Sequence, residues 1–360
     1  MKTSILTFFA ALMVVPFQLL FAQSAVKIAV VGLTHSHVHW ILGREDVGDV
    51  EIVGIVEPND DLAHRLMAQY GIDKQLLYPD MESLFAAVKP EAVTAFGSIY
   101  EHLAVVQACA PRGIHVMVEK PLAVSMEHAN EMAELAKKHQ IHETTWYASN
   151  HELKKRLKAE EIGPVRRVIV NDGHEGPMEI GVNQEFLDWL TDPVLNGGGA
   201  VIDFGCYGAN LMTWLMDGVK PISVTAELKQ IKPNIYPKVD DEATILLEYP
   251  SAQGVIQASW NWPFSRKDME VYGKTGYMVA KNSTRLLSRT EGQNQEKVET
   301  LAKRTNPFND PFAYLAAVVR GEIQVSAKDL SSIENNLVVV EILDAAKESA
   351  KKGKRIYLKQ

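Results

Sequence analysis

The chain of 360 residues is 46% hydrophobic and 23% charged, a globular composition that is long for a single core and points to two domains. Its net charge of -8 excludes a broad basic surface for nucleic acid. The two cysteines, Cys109 and Cys206, lie far apart, which excludes a disulfide framework and a cysteine-based zinc site.

Met1 to Ala22 reads as one lysine followed by an apolar run, with the small residues Ala22, Ser24 and Ala25 behind it. That layout predicts a cleaved secretory signal peptide over residues 1–24 and a periplasmic or secreted protein. A retained membrane anchor is the alternative, but the run is short, contains Pro16 and has no basic stop-transfer flank. No stable membrane insertion is expected after cleavage.

From Val26, VKIAVVG reads as a buried parallel strand ending at Gly32. A short helix to Leu42, the strand EIVGIVEP and the helix DLAHRLMAQYG follow. Next come the helix MESLFAAVK, the strand EAVTAFG, the helix HLAVVQACAPRG and the strand IHVMVEKP. This alternation predicts an α/β fold with a doubly wound parallel sheet over residues 25–145. Such sheets bind ligands at the carboxyl ends of their strands, so Gly32, Glu57, Gly97 and Glu119 should converge.

Glu57 ends the second strand, where dinucleotide folds place an acid for the ribose hydroxyls. A carboxylate there repels a 2′-phosphate, which favours NAD over NADP; the other reading is a solvated strand-end acid. The turn Gly32-Leu33-Thr34-His35-Ser36-His37 keeps only the first glycine of G-x-G-x-x-G. The hydroxyls of Thr34 and Ser36 and the amides opening the helix are left to hold phosphate. His35 and His39 fall on one helical face, yet no carboxylate is spaced as a third ligand, so no metal is expected. His35 and His37 are read as cofactor neighbours beside the phosphates, with packing as the alternative.

Two segments carry a resemblance. Glu119-Lys120-Pro121 closes a strand in VMVEKPLAV, and NGGGAVIDFGCYGANLMTWLMDG lies further on. Together they resemble the Gfo/Idh/MocA family of nicotinamide-dependent oxidoreductases along essentially the whole chain after the signal segment. The resemblance implies an active-site lysine at Lys120, with Glu119 near the nicotinamide riboside. It also implies a substrate-orienting acid at Asp203 and a general acid/base at Tyr207. Tyrosine rather than histidine at that position resembles the glucose–fructose oxidoreductase and dihydrodiol dehydrogenase branch. His102 matches the histidine of the family's T-P-x-x-x-H segment, with Gly97 and Ser98 in place of Thr-Pro; all three are implied cofactor neighbours.

Oxidising a secondary alcohol needs a base for the hydroxyl proton, and a free tyrosine, with a pKa near 10, needs a nearby cation such as Lys120. Asp203 and Tyr207, four residues apart, share a face if the stretch is helical. Tyr207 also fits the apolar pattern of a core aromatic.

Residues 146–328 change to period-2 strands, RRVIVND, ISVTAELKQ, ATILLEYP and GVIQASWNW, which predict an α+β domain with an open, mostly antiparallel sheet. By the family resemblance that sheet makes a homodimer or homotetramer. The closing segment, residues 329–360, reads as an amphipathic helix and strand packing back on the first domain. Candidate sugar contacts are Trp146, Tyr147, His174, Trp260, Trp262 and Phe264, since aromatic faces stack on sugar rings. His174 leads them because it lies in the glycine-rich loop NDGHEGP.

The combined expectation is an exported NAD-dependent oxidoreductase acting on a hydroxyl of a sugar, glycoside or polyol. Redox-assisted glycoside cleavage and a non-catalytic sugar-binding relative are the alternatives.

Overall fold

The computed structural model describes residues 24–135, 139–141 and 147–359. The predicted signal segment falls almost wholly outside the described residues, and Trp146 lies outside them. No helix of the described residues is long and apolar enough to cross a membrane.

The first domain alternates as its sequence predicts. In chain order it runs β1 (Val26–Val31), α1 (Val38–Leu42), β2 (Val50–Val56), α2 (Asp60–Tyr70), β3 (Leu77–Tyr78) and α3 (Met81–Ala87). It continues with β4 (Ala92–Ala95), α4 (His102–Cys109), β5 (His115–Val118), α5 (Met126–Leu135) and β6 (His139–Ile141). All strand pairs are parallel and the order is β3-β2-β1-β4-β5-β6, the doubly wound order whose switch point lies between β1 and β4. The helix ends are set locally. Asn59 caps α2 by accepting the Leu62 amide, and Gly71 stops it in the left-handed region at φ 66°. Leu62, Leu66 and Met67 then turn inward to the sheet, each contributing roughly 1.5–3 kcal/mol by burial.

The second domain holds α6 (Ala148–Lys158), β7 (Val165–Gly173), α7 (Gln184–Leu190), α8 (Ala200–Asp203) and α9 (Gly205–Leu215). There follow β8 (Ser223–Lys229), β9 (Glu242–Glu248), β10 (Gln253–Ser259), β11 (Arg266–Gly273), β12 (Gly276–Ala280), β13 (Arg285–Thr290) and β14 (Lys297–Thr300). The chain closes with α10 (Pro311–Val319), α11 (Ile333–Lys352) and β15 (Ile356–Tyr357). Nine strands form one sheet in the order β14-β13-β12-β11-β7-β10-β9-β8-β15. Only the β7–β10 pair is parallel, so the sheet is mostly antiparallel as expected. Helices α9 and α11 cover one face.

Two expected boundaries change. Helix α10, expected in the second domain, inserts Phe312, Leu315 and Ala316 into the first domain's core, while Arg44 bridges Asp49 and Asp310 at 2.7 Å each. Helix α11, expected on the first domain, packs chiefly against β8 and α9 of the second and reaches the first through α5. Its apolar residues cover two faces: Val338, Val339, Ile342 and Leu343 join the second domain's core and Val340 the first's. Periodicity marks a helix as buried but not against which neighbour. β15 then extends the second sheet beside β8.

Candidate active site

The ends of β1, β2, β4 and β5 meet at the first domain's upper edge. Gly32 follows β1 with φ 77°, and a Cβ there would stand 2.5 Å from the Gly97 amide nitrogen. Only glycine allows both that dihedral and that approach. Glu57, one residue past β2, turns inward. Its two carboxylate oxygens accept the Leu33 and Asn59 amides at 2.7 and 2.8 Å, so it braces the glycine turn. Burial raises its pKa against those amides. Each oxygen keeps a further lone pair for a ribose hydroxyl.

The turn residues find protein partners. Thr34 Oγ1 accepts the Trp189 indole N–H at 3.0 Å, and Ser98 donates its amide and hydroxyl to Glu101 at 2.7 Å. Ser36 lies two residues before α1, its carbonyl accepting the His39 amide. His102 is fully buried with Nδ1 3.1 Å from the Leu122 carbonyl, and burial drops its pKa to about 4. Its ring therefore braces the segment after Lys120 and stays neutral.

The histidines assemble differently from their sequence spacing. His35 precedes α1, so it shares no helical face with His39, whose ring turns to the Tyr70 hydroxyl at 2.7 Å. His35 and His37 instead flank Glu119, the third group for which sequence spacing gave no candidate, with all three donor atoms within 4.8 Å. The hydrogen-bond pattern assigns their protons. The His37 amide donates to His35 Nδ1 at 3.1 Å, which leaves the His35 proton on Nε2, facing Glu119 at 3.9 Å. His37 Nδ1 donates to Glu119 at 3.1 Å. These three groups could hold a metal ion, which would displace the His35 proton; their hydrogen bonds make them a brace. Burial holds His35 well below its ordinary pKa despite Glu119.

Lys120, just past β5, reaches the second domain. Its Nζ donates to Asp203 Oδ1 at 2.6 Å and to the Asp203 carbonyl at 3.1 Å. The other carboxylate oxygen accepts the Trp260 indole N–H at 2.9 Å. Burial works to raise the Asp203 pKa, but the Lys120 charge and these hydrogen bonds outweigh it and hold it at about 2. The stretch from Asp203 to Tyr207 is not one helix. It breaks at Phe204 between α8 and α9, yet Tyr207 still lies in the cluster, its ring centroid 5.0 Å from Lys120 Nζ. Burial raises the Tyr207 pKa to about 12 against two lysines. The expected activation by Lys120 is thus weakened, because Asp203 pairs with its charge.

Trp260 differs from expectation. It is fully buried and holds Asp203, so it is no sugar platform. His174 lies past β7, its ring edge-on to Phe204 at 4.8 Å and its Nδ1 accepting the Gly176 amide at 2.9 Å. Burial lowers its pKa. Trp262 donates its amide to the His174 carbonyl at 3.2 Å and stays beside the site, whereas Phe264 is 80% exposed. Sequence reasoning missed Asp172 and Lys267, which border Tyr207 together with Tyr147. Asp172 lies in the same NDGHEGP segment that singled out His174, two residues before it, a signal that was available; nothing marks Lys267.

Two family models match the chain: the oxidoreductase family with NAD-binding Rossmann fold over residues 26–144, and the GFO/IDH/MocA C-terminal domain over residues 150–279. Trans-1,2-dihydrobenzene-1,2-diol dehydrogenase of Xenopus laevis is 28% identical over 203 residues, 54% of each chain. The NADP-dependent D-xylose 1-dehydrogenase of Haloarcula marismortui is 22% identical over 252 residues, 66% of this chain and 68% of that one. The chain thus spans about half the length of the first of these curated relatives. An inositol dehydrogenase homologue from Azotobacter vinelandii, solved with NAD+, superposes with a TM-score of 0.78 at 20% identity, over 93% of this chain and 98% of that one.

Proposed function

The chain belongs to the Gfo/Idh/MocA family of oxidoreductases, and on that premise we propose that it is an NAD-dependent dehydrogenase oxidising a secondary hydroxyl of a sugar, glycoside or polyol. The observation that carries this reading is the Lys120–Asp203–Tyr207 cluster, joined across the two domains beside the strand ends that carry Gly32, Glu57 and Gly97. The residues present fit a dinucleotide at Glu57, which offers a carboxylate at the end of β2 with a lone pair left on each oxygen. Glu57 also supports NAD over NADP, since it would repel a 2′-phosphate.

When bound, the nicotinamide supplies the hydride acceptor. Lys120 and Asp203 orient the substrate hydroxyl, and their mutual ion pair fixes both side chains. Tyr207 takes the hydroxyl proton, and His174, at the edge of the cluster, binds a neighbouring hydroxyl. The names of the relatives, a dihydrodiol dehydrogenase and a xylose dehydrogenase, support a polyhydroxylated substrate.

The test is direct. Denatured protein should release NAD, and incubation with a panel of glycosides and polyols should form a keto product with NADH. No nucleotide and no NAD affinity would overturn the reading, and reducing sugar released without net NADH would overturn net oxidation.

We further infer that residues 1–24 direct export, tested by N-terminal sequencing of the fractionated protein. We also infer pairing of copies through the uncovered face of the second sheet, where Leu246 and Tyr272 are exposed. Light scattering at the mass of one chain would overturn that pairing.

A further inference from the structure

Beside Tyr207 lies a cluster that the reaction above leaves unused. Asp172 on β7 and Lys267 on β11 are register partners. They project from the sheet face that carries Val170 and Met269 into the core. Lys267 Nζ stands 3.5 Å from Asp172 Oδ2 and 3.9 Å from the centroid of the Tyr207 ring. Asp172, Lys267 and Tyr207 border one cavity of about 30 Å³. A water molecule needs only ~10–15 Å³. Asp172 is 3% exposed, and its Oδ1 has no hydrogen-bond partner among the described residues. A buried carboxylate oxygen without a donor is costly, so the site favours a proton or a water there.

Building on the dehydrogenase reading, we propose that Asp172, held by Lys267, takes the proton from Tyr207 through a water in this cavity. Tyr207 is the catalytic residue; Asp172 and Lys267 act through it, one as proton relay and one as positioning residue. The balance closes: the substrate C–H bond gives its hydride to the nicotinamide, and the substrate hydroxyl proton passes to Tyr207. The Tyr207 proton passes to the Asp172 carboxylate, leaving a ketone and a neutral Asp172.

The relay answers the weakness of Tyr207 as a lone base. Burial pushes the Asp172 pKa up to about 7, against the opposing charge of Lys267, so it can hold or release a proton near neutrality. The ionisable groups around it are Lys267 and Asp268 on β11, Asp203 on α8, Tyr207 on α9, Lys120 after β5 and Tyr147 before α6. Lys267 stays cationic throughout, since Tyr207 and Asp172 raise its pKa despite burial.

The test compares wild type with Asp172→Asn, Asp172→Glu and Lys267→Met. In the wild type, kcat/KM for NADH formation should rise with pH through a group titrating near 7. Asp172→Asn should lose that limb and about 10²-fold in kcat, with KM changed less than about threefold. Asp172→Glu should restore the limb, and Lys267→Met should move it to higher pH by removing the cation. Carboxylate resonances supply a readout without turnover: one should titrate near 7 in the wild type and vanish in Asp172→Asn. Wild-type rate and pH profile in Asp172→Asn, or no carboxylate titrating near neutrality, would overturn the relay. Should Asp172→Asn fail to fold, Lys267→Met and the wild-type titration still decide. A wild type that binds NAD but reduces it with no polyol would overturn the dehydrogenase reading, and the relay with it.

Discussion

Tyr207 feels opposed influences, burial against two lysines, and burial wins in the free enzyme. Tyr207→Phe should therefore cut turnover by roughly 10²–10⁴ while NAD affinity holds, measured by steady-state kinetics and calorimetry. Full activity in that variant would remove the tyrosine from the chemistry. Trp260 makes a different prediction. Trp260→Phe keeps an aromatic in the core but leaves Asp203 one donor short, so unfolding free energy should fall by about 1.5–3 kcal/mol in urea titrations. Asp172 has a folded-state pKa above its ordinary value, so the native state binds the extra proton between about pH 4 and 7. Its contribution is complete below the ordinary value and is lost as pH rises through 7. Asp172→Asn should flatten the wild type's decline in stability across that window. At this scale the sequence conveyed chemical type but not partner. Trp260 read as a sugar platform because an indole's hydrogen-bond partner is invisible in one dimension. Lys267 read as nothing because it sits in an ordinary charged strand.

At the scale of elements, local rules governed most outcomes. The strands and helices of the first domain follow their periodicity, and Asn59, Gly71, Ser332 and Gly353 cap or stop helices where their chemistry says they should. Gly32 is the sharpest local requirement. Gly32→Ala should cost at least about 2 kcal/mol in stability, from an unfavourable dihedral and overlap with Gly97. It should also weaken NAD binding, and calorimetry with and without nucleotide separates the two effects. The break at Phe204 was not legible, because the stretch around it satisfies helical patterning on both sides. The tertiary pull of Lys120 and Trp260 on Asp203 accompanies that break. Pattern reading identified α11 as an amphipathic helix and placed it on the first domain, where it packs in part. It did not single out α10 and did not foresee the larger share of α11 packed on the second sheet.

At the scale of the molecule, α11 ties the domains together. Asp344 accepts the Met126 amide that opens α5, and Lys347 donates to the carbonyls of Val124 and Gly197, one in each domain, at 3.2 Å. Lys347→Met should lower the unfolding free energy in urea titrations by about 1.5–3 kcal/mol and reduce kcat/KM. The second effect follows because Lys120 and Asp203 meet across the same junction. Unchanged kinetics with lowered stability would mean that the junction around the site is held elsewhere.

The sequence by itself determined the fold class, and its motifs singled out the strand ends as a candidate dinucleotide site and Lys120, Asp203 and Tyr207 as candidate catalytic residues. Periodicity, caps and short motifs are local in the chain, and a parallel α/β domain is built largely from them. Only the tertiary structure decided which charges meet: Asp203 with Lys120 and Trp260, Glu119 with His35 and His37, and Asp172 with Lys267 beneath Tyr207. Those pairings depend on strand register and domain docking between distant segments. They set burial, and with it the protonation states on which the chemistry turns.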